Sequence, residues 1–334
     1  MISQFYTRKE CATRYAVFYS GNMMASSFSG LISAGIFEGL DGVRGLAGWR
    51  WLFIIQGAVT LAAAFVAYFL LPDSPLKTRW LTEEERQLAH ARMERDMTGR
   101  RAGTSTWVGL REACLDYRTW LFCKFSSPYS YGTVLIIASI GLMQNMHLSA
   151  NGFKNFLPSV VKTLGFSSTI SLVLTCPPYL LATFISIAVS WSSGRFNERT
   201  WHITASKGVA IVGFAIAWGS LNLGARYFAI VLFVGATYGV NNIGMAWVAA
   251  TLGQTNEKKA VAVALANTLA NLSFVYTPFL WRDEDRPRYG LAMGASIVFS
   301  GGVILTAWVL KFVLKRENRK LRATDSEVVN FYAY

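Results

Sequence analysis

Long stretches without charged side chains alternate with short polar turns along most of the chain. The first stretch, residues 15–37, holds no formal charge, and about 20 apolar residues suffice to cross a bilayer as a helix. Similar runs follow at residues 51–71, 120–161, 171–190, 202–221, 227–251, 260–280 and 291–314. The pattern therefore predicts an all-α polytopic membrane protein with about eight transmembrane helices, the third run being longer than one helix needs.

Small side chains recur at helical spacing within the first run. They form two adjacent rows, which are Gly21, Ala25, Ser29 and Ser33, and Ser26, Gly30 and Ala34. A face of small residues lets another helix backbone approach closely, as packing in lipid requires. The run is predicted to be a tightly packed membrane helix, and a buried helix of a soluble protein is the alternative.

Composition supports the membrane interpretation. The chain has 53% hydrophobic and 15% charged residues, whereas a soluble domain has about 25% charged residues. A net charge of +13 could indicate nucleic acid or a membrane surface as partner, so its placement matters. The four cysteines have neither CxxC spacing nor dense pairing, so we expect no metal, disulfide framework or cofactor.

The positions of lysine and arginine predict the topology. Cytoplasmic loops of membrane proteins carry the excess of these residues. Most of them fall on the cytoplasmic side if residues 1–14, the charged stretch 77–118 and residues 315–334 are all placed there. We therefore expect both termini in the cytoplasm and no nucleic-acid partner. Within the charged stretch, Thr82 followed by three glutamates predicts an N-capped surface helix.

Several motifs occur in a fixed order along nearly the whole chain. They are Tyr6-Thr-Arg-Lys-Glu10, Gly45-Leu-Ala-Gly-Trp-Arg-Trp-Leu-Phe53, Leu81-Thr-Glu-Glu-Glu-Arg86, Asn155-Phe-Leu-Pro158, Cys176-Pro-Pro-Tyr179 and Arg286-Pro-Arg-Tyr289. Together they resemble the fungal allantoate permease group of the major facilitator superfamily. The resemblance implies alternating-access transport of small organic anions such as allantoate, nicotinate, pantothenate or biotin, usually with a proton, by a monomer in the plasma membrane.

The same resemblance implies a partial fold. Members of the superfamily have twelve spans in two six-helix halves, and the Tyr6 motif normally lies between the fourth and fifth spans, so the first four are expected to be missing here. The chain then divides into a remnant of the N-terminal bundle (1–71), a cytoplasmic loop (72–118), a C-terminal six-helix bundle (119–314) and a cytoplasmic tail (315–334). In this interpretation the small-residue face of the first span has no intact partner in the chain.

Residues 124–141 depart from the family pattern. Relatives run almost directly from a Trp-Leu-Phe segment into one like Leu142-Met-Gln-Asn-Met-His147, so these residues look inserted. Our hypothesis is a retained intron in a gene model. Transcript sequencing that reads residues 124–141 as coding message would refute it.

Ionisable groups inside membrane spans are costly and usually functional. None of the 19 aspartates and glutamates lies within a predicted span. His147 is the titratable group placed deep in an otherwise uncharged segment, and we consider it a candidate proton carrier; a neutral histidine bonded between helices is the alternative. Lys207 lies near the end of its span, so we expect it to snorkel to the interface rather than bind substrate.

Amides and one tryptophan supply further candidates for substrate binding. Together with His147 they are Asn145, Asn151, Asn241, Asn242, Trp247, Asn267 and Asn271. Amides can hydrogen-bond a carboxylate, or can join two helices in lipid. In the family fold the first helix of each triplet lines the central cavity, which favours the spans that hold His147 and Asn241.

Arg195 and Arg199 flank a short charged turn between two spans. The turn resembles the charged turns of the superfamily, which implies gating by ion pairs that form in one access state. Anchoring of the topology is the alternative.

Three functions compete at this point. The first is a proton-coupled carrier of organic anions, and the second is a transport-incompetent fragment or a non-transporting nutrient sensor. A membrane-embedded enzyme is disfavoured because the sequence has no HExxH, Walker or GxSxG motif.

Overall fold

A computed structural model describes residues 5–6, 8–71, 76, 78, 81–96, 106–115, 142–252 and 256–324. The regular structure of these residues is helical. The helices are α1 (Arg8–Gly39), α2 (Gly48–Leu70), α3 (Glu83–Asp96), α4 (Thr106–Leu115), α5 (Leu142–Lys162), α6 (Ser168–Val173), α7 (Cys176–Phe196), α8 (Thr200–Gly219), α9 (Leu223–Thr251), α10 (Asn256–Asn271), α11 (Ser273–Tyr276) and α12 (Gly290–Thr324). The predicted all-α class is confirmed.

Within the described residues, five helical stretches are long and apolar enough to cross a membrane. They are Gly48–Leu70, Ser168–Phe196, Leu223–Thr251, Lys259–Leu280 and Gly290–Arg316. The helices α1, α5 and α8 have 32, 21 and 20 residues, so they are also long enough, but they carry more polar residues. Every predicted apolar run is therefore mainly helical where the structure describes it.

Parts of the predicted organisation lie outside the described residues. The proposed insertion at residues 124–141 is among them, and so is the end of the tail. The intron hypothesis and the exact segment boundaries therefore stay predictions.

The surface helix α3 begins as its sequence predicts. The Thr82 backbone N–H donates to Glu85 Oε2 over 2.9 Å, and the Glu85 N–H donates to Thr82 Oγ1 over 3.4 Å. This reciprocal pair is a capping box, which satisfies N–H groups that the first turn leaves without partners. The backbone and side-chain hydrogen bonds with Thr82 lower the pKa of Glu85.

The core is a bundle of α5, α7, α8, α9 and α12. Helix α9 lies at its centre, since most of its residues are buried. Its Phe233 ring stacks on Phe214 of α8 with 4.5 Å between centroids. Gly213 permits this close approach, because a Cβ there would lie 2.9 Å from Phe233 Cβ.

Helix α1 packs against α7 through one row of small residues. The buried face of α1 consists of Met23, Ser27, Gly30 and Ala34. A Cβ at Gly30 would lie only 2.5 Å from the Leu172 carbonyl oxygen, so only glycine fits at this contact. The expectation that this face lacks a partner in the chain is therefore wrong for the row with Gly30 and Ala34, which packs against α6 and α7. The other predicted row is exposed at Gly21, Ala25 and Ser29.

Helix α2 has a different environment. Gly48 is its buried residue within the described structure, and its apolar side chains, such as Phe53 and Phe65, are exposed. The bundle around α9, together with α1, therefore holds the residues that could form a site.

Candidate functional site

Polar side chains from three helices meet where α1 joins the bundle. Tyr19 comes from α1, Tyr179 from α7, and Tyr238 and Asn241 from α9. The rings of Tyr179 and Tyr238 are 5.8 Å apart, and the Tyr238 hydroxyl interacts with the hydroxyls of Tyr179 and Tyr19. The Tyr19 hydroxyl in turn interacts with the Asn241 side chain. We call these four residues the tyrosine–asparagine cluster.

Hydrogen bonding in the cluster is incomplete. Tyr179 and Tyr238 are only 4% and 3% exposed. Among the described residues, neither Tyr238 Oη nor Asn241 Oδ1 has a partner at hydrogen-bonding geometry, although both side chains have polar neighbours. A buried polar atom without a hydrogen bond costs roughly 1–3 kcal/mol. The cluster can therefore accept a further polar group.

The neighbouring candidates on α9 are fully engaged within the bundle. Asn242 Nδ2 donates to Ser186 Oγ of α7 over 2.8 Å, so this amide joins two helices, as one of the two alternatives predicted. Trp247 has no exposed surface and packs in a cluster of aliphatic residues. Asn241 is thus the predicted α9 residue that reaches the tyrosine–asparagine cluster.

The two candidate amides on α10 lie elsewhere. Asn267 and Asn271 are exposed, whereas the buried face of α10 is formed by Ala262, Ala266 and Ala270. Asn271 Nδ2 donates to the Asn267 carbonyl over 2.9 Å. The structure therefore does not bring these amides into the cluster.

The candidates on α5 are described only by their position on the helix. Helical register places position 145 on the same side as Ser149, which is fully buried, and positions 147 and 151 on the opposite side. The side chains of Asn145, His147 and Asn151 lie outside the described structure. Their proposed roles stay predictions.

Lys207 of α8 is completely buried. Its Nζ donates to Ser149 Oγ of α5 over 2.8 Å, and the Ser149 hydroxyl donates to the Met146 carbonyl over 3.0 Å. The expected snorkelling to the interface is wrong, because the side chain extends across the bundle toward α5. Proximity to the end of a span does not reveal this direction.

The buried charges of the described structure share one sign. Four cationic side chains are buried, namely Arg199, Lys207, Arg226 and Lys311, and no described aspartate or glutamate is. Arg226 Nη2 donates to the Pro287 carbonyl over 2.5 Å. Glu198 pairs with Lys311 over 3.4 Å, and one carboxylate oxygen of the half-buried Glu257 is also enclosed, so the positive charge of Lys207 is the clearest buried charge in the bundle.

The charged turn between α7 and α8 is organised by Glu198. Arg195 is exposed, with its guanidinium 5.7 Å from the Trp191 ring, and Arg199 is 1% exposed. Between them, the Glu198 carboxylate lies 3.1 Å from His202 Nδ1 and 3.4 Å from Lys311 Nζ of α12. Sequence reasoning selected the two arginines and missed Glu198 and Lys311.

The Glu198 carboxylate connects α8 and α12 directly, and α7 through His202. His202 Nε2 lies 2.9 Å from Ser192 Oγ of α7, and Lys311 Nζ lies 5.0 Å from the Trp308 ring. We call Glu198, His202, Lys311 and Ser192 the Glu198 network. The spacing of Glu198 and His202, four residues apart across the start of α8, is the sequence signal that could have indicated part of it.

Comparison with known proteins identifies the family to which this chain belongs. The model of the Major Facilitator Superfamily matches residues 1–278. The chain is 32% identical over 325 residues to the major facilitator-type transporter hxnP of Emericella nidulans, covering 95% of this chain and 60% of that protein. It is 29% identical over 347 residues to the MFS-type transporter cnsO of Penicillium expansum, covering 97% and 62%.

An uncharacterized transporter of Schizosaccharomyces pombe is 26% identical over 320 residues, covering 96% of this chain and 60% of that protein. The chain spans about 60% of the length of the curated relatives that it matches. These relatives are named as transporters, so the enzyme interpretation is set aside. The chain is a multi-pass membrane protein that belongs to the major facilitator superfamily.

Proposed function

We propose that this chain carries small organic anions across a membrane by alternating access, coupled to protons, as the resemblance to the allantoate permease group implies. The observation that carries the proposal is the sign of the buried charge. Four cationic residues and no aspartate or glutamate residue belong to the buried class in the described structure, and Lys207, unlike Lys311, is not paired with Glu198. An anionic substrate complements such an interior, whereas a cationic substrate would be repelled.

Lys207 is the strongest single argument for an anion. A charged group in a membrane bundle is expensive to bury, and such residues usually mark a substrate or ion pathway. The described partner of its Nζ is the neutral hydroxyl of Ser149. Because Ser149 belongs to α5, the ammonium reaches the helix that, by resemblance to the superfamily, lines the central cavity.

His147 is our proposed proton carrier. It lies in α5, two positions before Ser149, and an imidazole titrates near neutral pH when its environment is unperturbed. Replacing His147 with Gln should abolish accumulation driven by a pH gradient and leave exchange of substrate across the membrane intact. Unchanged proton-driven uptake in the variant would remove this residue from the role.

The plasma membrane and cytoplasmic termini are further parts of the proposal. The distribution of lysine and arginine supports this orientation. Tags at either end should become accessible to antibody only after the cells are permeabilised. A tag detected on intact cells would overturn the orientation.

The test of the proposed function is uptake of labelled nicotinate, pantothenate and allantoate by cells that make this chain, compared with cells carrying an empty vector. Uptake of at least one anion above the vector control is expected. Binding of an anion without uptake would instead establish the sensor alternative. The absence of both binding and uptake would overturn the proposal.

A further inference from the structure

The tyrosine–asparagine cluster contains buried polar atoms that the described protein leaves without hydrogen bonds. These atoms are Tyr238 Oη and Asn241 Oδ1 of α9. We propose that the cluster binds the neutral hydrogen-bonding group of the transported anion, such as an amide or a hydroxyl. This inference rests on the proposed function, and it adds a second recognition element to the buried cation.

The arrangement of the four side chains requires one more partner. The Tyr238 ring lies 5.8 Å from the Tyr179 ring, and Tyr19 interacts with both Tyr238 and Asn241. An asparagine amide has one donor group and one acceptor, and Tyr19 can engage only one of them. Whichever way the amide is oriented, its other end lacks a partner among the described residues.

The chemical class follows from the groups present. The cluster contains hydroxyls and an amide, and no charged side chain. Such groups discriminate against an analogue that lacks the matching donor or acceptor, because their own buried atoms are then left unpaired. The cluster therefore distinguishes anions that carry an amide or hydroxyl group from plain carboxylates of similar size.

The cluster is also placed where a ligand could reach it. Tyr19 is only partly buried and belongs to α1, whereas the other three residues belong to the bundle. Phe153 of α5 covers Tyr238 edge-on, with 6.3 Å between ring centroids. The open side of the cluster therefore lies toward α1, and a ligand bound there would contact both α1 and α9.

The experiment measures the thermal stability of the purified full chain with added allantoate, which carries a carboxylate and amide N–H groups, or butanoate, which carries only a carboxylate. Tyr238→Phe and Asn241→Leu each remove a polar group from the cluster. Tyr227→Phe is the matched control, because the Tyr227 hydroxyl donates to the Leu174 carbonyl over 3.0 Å outside the cluster. If a variant at a buried position fails to fold, Tyr19→Phe, at a partly exposed position of the cluster, is measured in its place.

We expect allantoate to stabilise the wild type and Tyr227→Phe, with roughly five- to tenfold weaker binding to the cluster variants, as loss of one hydrogen bond implies. Butanoate binding should be the same in all of them. Equal allantoate binding in every variant would overturn the inference and leave the proposed function standing, with a buried water as the partner of the cluster. If neither these two anions nor nicotinate or pantothenate stabilises the wild type, the proposed function itself is overturned.

Discussion

Glu198 in the turn between α7 and α8 reaches Lys311 of α12, with 3.4 Å between Oε1 and Nζ. The same carboxylate accepts hydrogen bonds from the Trp201 backbone N–H over 2.9 Å, which caps α8. One side chain therefore fixes the start of one helix and ties it to another. The gating role that the sequence suggested for this turn requires an ion pair, and the Glu198 network contains one; gating itself stays a prediction.

Replacing Glu198 with Gln should weaken this end of the bundle. The charge pair with Lys311 is lost, and a partly exposed pair contributes up to about 1 kcal/mol. We expect a melting temperature a few degrees lower and altered transport rates. Arg195→Gln is the control, because Arg195 is exposed. An equal effect of the two substitutions would contradict a special role for Glu198.

The contact between α1 and α7 can be tested by disulfide formation. Ser27 Oγ lies 2.9 Å from Cys176 Sγ, so Ser27→Cys should form a disulfide with the native Cys176 on mild oxidation. Mass spectrometry of the digested protein identifies the linked peptides. Absence of this link in folded protein would show that α1 packs elsewhere.

Gly30 should be required for the same contact. Gly30→Leu should lower the yield of the Ser27→Cys disulfide severalfold, since a Cβ at Gly30 already meets the Leu172 carbonyl oxygen. Gly21→Leu is the matched control, because a Cβ there meets nothing within 4 Å. Equal yields with the two leucine substitutions would contradict close packing at Gly30.

The capping box of α3 predicts a pH dependence. Hydrogen bonds with Thr82 lower the pKa of Glu85 in the folded protein, so its stabilising effect is present above the unfolded pKa and is lost as pH falls through the folded value. The protection factor of the first-turn amides of α3, which is the intrinsic exchange rate at each pH divided by the observed rate, should therefore fall on acidification. Glu85→Gln should exchange faster at neutral pH and depend less on pH, and an unchanged pH response in this variant would argue against the cap.

Asn242 should contribute to stability rather than only to binding. Its bond to Ser186 is buried, so Asn242→Ala should destabilise the bundle by about 1–2 kcal/mol. Thermal unfolding measures the effect. The exposed Asn271 provides a contrast, and Asn271→Ala should unfold at nearly the wild-type temperature. Equal melting temperatures of the two variants would show that the bond to Ser186 adds little.

The sequence was sufficient for the helices and insufficient for their partners. Apolar runs predict α1, α2 and the helices of the bundle, because length and hydropathy are local properties. The packing of Gly30 against Leu172 of α6, and the pairing of Glu198 with Lys311, depend on residues distant in sequence. Motif reasoning could not identify these contacts.

The candidate site also combines features that the sequence predicts with features that it does not. Asn241 was predicted from its position in mid-span, and it lies in the tyrosine–asparagine cluster. Tyr19, Tyr179 and Tyr238 were not predicted, since tyrosines of membrane proteins are commonly interfacial anchors. Lys207 was assigned to the interface because its distance from the span end is visible in the sequence, whereas the direction of its side chain is not.

The central claim is that a buried positive charge selects anions, and nicotinate and nicotinamide test it most directly because they share a ring and differ in charge. Uptake of both labelled compounds should be compared in wild type, Lys207→Gln and the control Lys162→Gln, whose lysine is exposed at the end of α5. We predict that wild type and the control prefer nicotinate, and that Lys207→Gln loses roughly tenfold of that preference, equivalent to about 1.4 kcal/mol. A folded Lys207→Gln protein that keeps the full preference for nicotinate, or a wild type that takes up nicotinamide equally well, would contradict the account.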